Sequence, residues 1–118
     1  PTIKNLYTIG VTYNTGYDKM KKALDILRDI FKNHPGTENY WVYFKEFGSS
    51  SLNILVIHWC KYLAYEEFLK ATEEINLEIM KRFEENSIEI AFPTQTVYLK
   101  EERTERVGMK PNRGGKDE

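Results

Sequence analysis

Hydrophobic and polar positions alternate from Leu6 to Tyr13, with Tyr7, Ile9, Val11 and Tyr13 on one side and Leu6, Thr8, Gly10 and Thr12 on the other. That two-residue period predicts a first strand. Asn14-Thr15-Gly16 turns the chain, and Asp18 is expected to cap the helix that follows. From Lys19 the apolar residues Met20, Ala23, Leu24, Leu27, Ile30 and Phe31 recur in steps of three and four, the stripe of a helix lying on a sheet. Asn33-His34-Pro35-Gly36 stops it, because proline disfavours helical geometry in the residue before it. A second strand is expected over Tyr40 to Phe47, and Gly48-Ser49-Ser50 turns it into a hairpin with the most apolar run of the chain, Ser51 to Cys60. A second helix is read from after Lys61 to about Glu85, its stripe made of Tyr65, Phe68, Leu69, Ile75, Ile79, Met80 and Phe83. Asn86-Ser87 ends it, and Ile88 to Phe92 reads as a fourth strand.

The order is β-α-β-β-α-β, which predicts an α+β, ferredoxin-like sandwich with both helices on one face of an antiparallel sheet. The third strand is its centre. Leu52, Ile54, Val56, His58 and Cys60 are expected to face the helices, leaving Leu55, Ile57 and Trp59 on the opposite face. On the second strand Val42 and Phe44 point to the helices, so Trp41, Tyr43 and Phe47 are expected to share that opposite face, where a solvated sheet would be polar. Pro93 lacks the amide a ladder needs, so Thr94, Gln95, Thr96, Val97, Tyr98 and Leu99 read as a short separate strand without a partner in the domain. These twelve residues, Trp41, Tyr43, Phe47, Leu55, Ile57, Trp59 and Thr94 to Leu99, are the candidate contact surface for another chain. The expected organisation is a domain over 1–93, the terminal strand over 94–99 and a charged tail over 100–118 with too little apolar content to order itself.

A length of 118 residues allows one domain. The net charge of -1 supplies no field for nucleic acid. One cysteine and two separated histidines give no soft-ligand pair, so neither a metal nor another cofactor is expected. Cys60 reads as a small buried hydrophobe, His58 as a packed, hydrogen-bonded core histidine and His34 as a helix-end cap. Neighbouring acidic pairs such as Glu73-Glu74 point apart on a helix and form a solvated face rather than a catalytic or metal site. The serines after Gly48 lack the glycine-lysine pattern of a phosphate loop. An anion-handling enzyme of the acylphosphatase kind would need a cation in the loop Asn14 to Tyr17, which has no arginine. A freestanding enzyme or a ligand-sensing regulatory domain is the alternative to a non-catalytic contact module. No apolar run reaches the roughly 20 residues that span a bilayer, and a start at Pro1 is compatible with a piece of a longer protein.

Three local motifs narrow the field. Ile9-Gly10-Val11-Thr12-Tyr13 before a helix, Phe47-Gly48-Ser49-Ser50-Ser51-Leu52-Asn53 at a hairpin, and Ile88 to Leu99 reading IEIAFPTQTVYL together resemble the C-terminal cytoplasmic α/β domain of the small-conductance mechanosensitive channel family. The resemblance runs from Leu6 to Leu99, and the Phe-Pro-x-Gln ending is its most specific part. It implies a wall element of a hollow cytoplasmic cage beneath a tension-gated pore. The assembly implied is a homo-heptamer of identical subunits, with ions as the permeant species and no catalysis. In that family the strand after the fourth joins its symmetry mates around the axis, which corresponds here to Thr94 to Leu99. Location on the cytoplasmic side of the inner membrane follows from the same likeness, with membrane contact only through an N-terminal region these residues do not include.

Overall fold

A computed structural model describes residues 2–91. The chain runs through strand β1 (Ile3–Val11), a 3₁₀ turn (Tyr13–Thr15), helix α1 (Gly16–Asn33), strands β2 (Thr37–Phe47) and β3 (Leu52–Cys60), and helix α2 (Tyr65–Glu85). The fold is α+β. Its antiparallel sheet has the order β1-β3-β2, so the most apolar segment is the middle strand, hydrogen-bonded on both edges. Leu52, Ile54 and Val56 join Val11 and Val42 in one cluster with Met20, Leu27 and Phe31 of α1 and Ile75, Ile79 and Phe83 of α2. Burial of these side chains, each contributing about 1.5–3 kcal/mol as they leave water, holds the helices to one face of the sheet.

Several expectations need correction. Asp18 is not the cap: α1 starts at Gly16, Thr15 holds the N-cap position without a side-chain cap bond, and Asp18 lies in the first turn. Gly16 takes φ +80, a conformation that costs glycine little, and this lets the helix begin three residues early. Phe47 does not share a face with Trp41 and Tyr43. The register against β3 slips between Phe44 and Glu46, so Phe47 lies opposite Leu52 and its ring meets that of Phe44 at 5.1 Å, on the helix side. One extra residue in a strand reverses the facing of everything after it.

The stripe assigned to α2 also divides. Ala71, Ile75, Ile79 and Phe83 are buried, whereas Tyr65, Leu69 and Met80 are exposed. The expected fourth strand is, among the described residues, one antiparallel bridge between Val11 and Ile90. The end of α2 accounts for its late start. Ser87 adopts φ 55, its amide donates to the Glu84 carbonyl (3.1 Å) and the Ile88 amide donates to the Phe83 carbonyl (2.8 Å). This is a Schellman closure, and it commits the Ile88 amide to the helix rather than to a ladder. Thr94 to Leu99 lie outside the described residues.

Candidate functional site

Because β3 is flanked on both sides, its outward residues form transverse rows with their neighbours. Lys4, Trp59 and Asn39 make one row, Leu6, Ile57 and Trp41 the next, and Thr8, Leu55 and Tyr43 the third. The middle row is wholly apolar. Ile57, though on the side away from both helices, is only 7% exposed, because its neighbours close over it, while Trp41 and Tyr43 remain 51% and 59% exposed. Trp41 and Trp59 meet edge to face with ring centroids 5.3 Å apart, an arrangement their quadrupoles favour. Cations mark the border. Lys4 Nζ sits 5.8 Å from the Trp59 ring and the Arg28 guanidinium 5.7 Å from the Tyr43 ring. Arg28 reaches there from α1 by donating from Nη2 (2.8 Å) and Nε (3.3 Å) to the Val42 carbonyl, which blunts the outer edge of β2.

Of the sequence-derived surface, the structure therefore unites Trp41, Tyr43, Leu55, Ile57 and Trp59, and separates Phe47. Leu6, 58% exposed, belongs to the same face; its outward placement in the alternation of β1 was the signal for it. Phe47 instead forms one wall of a groove of about 530 Å3 with Tyr13, Tyr17, Met20, Phe44 and Leu52. Tyr13 is fixed there by its hydroxyl, which donates to the Gly48 carbonyl.

The groups with catalytic or metal-binding potential lie apart from this face. His58 is buried on the helix side, 2.9 Å from the Thr37 hydroxyl and edge-on to Phe31. Burial foremost, and then His34, push its pKa down to about 4, so the ring is neutral at physiological pH. His34 accepts from the Gly36 amide at Nδ1 (2.9 Å), which leaves the proton on Nε2 to donate to Glu74 (2.8 Å) and ties the end of α1 to α2. Burial pushes the Tyr7 phenol up, and Arg82, by hydrogen bond, holds Asp29 below the usual carboxylate range. Among the described residues no cluster of three or more His, Cys, Asp or Glu could hold a metal ion, and no helix is long and apolar enough to cross a membrane. What the arrangement offers chemically is an aromatic, cation-bordered sheet face.

Residues 5–90 match the family model described as mechanosensitive ion channel MscS, C-terminal. The chain belongs to the MscS family. Its curated MscS relatives include the small-conductance mechanosensitive channel MscMJ of Methanocaldococcus jannaschii, 46% identical over 98 residues, 82% of this chain and 28% of that protein. The low conductance mechanosensitive channel YnaI of Escherichia coli is 34% identical over 95 residues, 78% of this chain and 27% of that protein. The chain thus spans little more than a quarter of the length of these MscS relatives. A crystal structure of Helicobacter pylori MscS in a closed state superposes with a TM-score of 0.61 at 21% identity, over 86% of this chain and 39% of that one. That likeness establishes the fold. The relatives are mechanosensitive channels rather than enzymes, and the chain is an MscS C-terminal domain.

Proposed function

We propose that this domain is a wall element of the cytoplasmic cage of a tension-gated channel, built from seven identical subunits and without catalytic activity. The observation that carries the reading is the outer sheet face, where Leu6, Trp41 and Tyr43 stand more than half exposed around a buried Ile57. An apolar sheet face of this kind needs a cover, and in a family of channels the cover is another part of the assembly. The domain occupies 1–93, stands on the cytoplasmic side of the membrane and lines the vestibule through which ions pass; the pore and its gating belong to other parts of the channel.

The finer fold follows from the pairing at its open edge. The Thr12 amide donates to the Glu89 carbonyl (3.1 Å) and the Ala91 amide to the Gly10 carbonyl (2.9 Å). These two bonds support a fourth strand beside β1 and, with it, the ferredoxin-like order. Pro93 has no amide to give to such a ladder. That missing amide supports the assignment of Thr94 to Leu99 to pairing between subunits, and the charge of 100–118 supports its reading as a tail.

Cysteine substitution at Thr96 or Tyr98 in the full-length protein tests the assignment. Oxidation is expected to link neighbouring subunits, and absence of an intersubunit product at both sites would sink it.

A further inference from the structure

Helix α2 carries a second line of residues that its burial does not use. Glu66, Leu69, Glu73, Leu77, Met80 and Glu84 follow one another in steps of three or four, so they form one continuous ridge along the helix. All six are exposed, Leu77 at 58% and Met80 at 54%. The ridge is apolar and acidic; Lys70 and Lys81 flank it, but the seven glutamates of α2 outnumber its three cations, whereas the outer sheet face is apolar and bordered by Lys4 and Arg28. The two surfaces also match in extent. From Leu69 to Met80 the helix rises about 16 Å, and from Leu55 to Trp59 the strand advances about 14 Å. They lie on opposite sides of the domain, since α2 packs on the helix side of the sheet.

A ring of more than two identical subunits needs two unlike, complementary surfaces on each, because a surface that matches itself closes a dimer. We propose that the α2 ridge of one subunit covers the outer sheet face of a second copy, as a head-to-tail helix-on-sheet contact. The inference rests on the proposed assembly and names the two surfaces that meet in it. A helix over an apolar sheet face is the standard way for such a face to leave water. Here Leu69, Leu77 and Met80 seat along Leu55, Ile57 and Trp59, between Leu6 on one side and Trp41 on the other, and the glutamates of the ridge meet the cations at the border of the face.

The test is disulfide formation in the full-length protein carrying both Tyr43→Cys and Leu77→Cys. Tyr43 and Leu77 are exposed, 59% and 58%, so their replacement leaves the core intact, and wholly buried Cys60 stays out of the reaction. A link within one chain is excluded by their placement on opposite sides of the sheet. The expected result is a ladder of linked subunits from the double variant and none from either single variant, since like surfaces never meet head to tail. An oligomer by light scattering that links through Thr96→Cys but gives no ladder from the double variant overturns this contact and leaves the assembly standing. Linking by Tyr43→Cys alone overturns it too, because the face would then meet itself. A monomeric particle overturns the assembly and this contact together.

Discussion

His58 lies at the centre of the sheet with its ring edge-on to Phe31 and one nitrogen held by Thr37. Its pKa falls from the ordinary 6.5 to about 4 in the fold. Between those values the unfolded chain binds a proton that the folded chain refuses, so stability from this residue is complete above about pH 6.5 and drains away as pH falls towards 4. The displacement corresponds to roughly 3 kcal/mol at the acid end. Urea midpoints measured across that range are expected to fall with pH in the parent chain and to fall less steeply in His58→Gln. A second residue-scale contrast separates core from contact surface. Phe83→Ala empties a site that is 1% exposed and is expected to cost about 3–5 kcal/mol. Trp41→Ala is expected to cost about 1 kcal/mol in the same urea titration, and to weaken assembly in the full-length protein.

At the scale of the element, the end of α2 makes the sharpest prediction. Ser87 holds a left-handed conformation, φ 55, in which an L side chain crowds its own backbone, while its amide and that of Ile88 close the helix. Ser87→Gly removes the crowding, leaves both bonds intact and is expected to raise stability by about 1 kcal/mol, read as a higher urea midpoint. The first three strands and both helices were legible in the chain, because alternation along Leu6 to Tyr13 and the three-and-four spacing from Met20 to Phe31 are direct imprints of pleat and turn. The slip near Lys45 was not. A bulge adds one residue and leaves the alternation on either side undisturbed, so nothing in the pattern marks where Phe47 changes face. Nor could periodicity divide the two ridges of α2, since Leu69 and Met80 continue the same wide apolar arc as Ile75 and Phe83 and differ only in what stands opposite them. The candidate contact surface was partly legible for the same reason: Trp41, Tyr43, Leu55, Ile57 and Trp59 hold in the fold the two-residue period they show in the sequence, whereas Phe47 shows that period in the sequence and loses it to the bulge.

At the scale of the whole molecule, two helices cover one side of the sheet and the other side remains a band of aromatic and aliphatic side chains. The division of labour within β3 follows from this. Leu52, Ile54 and Val56 belong to the core, while Leu55 and Trp59 are only half-buried on the face away from the helices. The chain contains two tryptophans, and both stand on that band, 5.3 Å apart. Indole emission from this protein is therefore a local optical signal rather than an average over the fold. When a neighbouring subunit settles over the band, the emission is expected to move to shorter wavelength and to resist quenching by iodide, with no label attached. The protein carries its own gauge of whether that side of it is wet or dry.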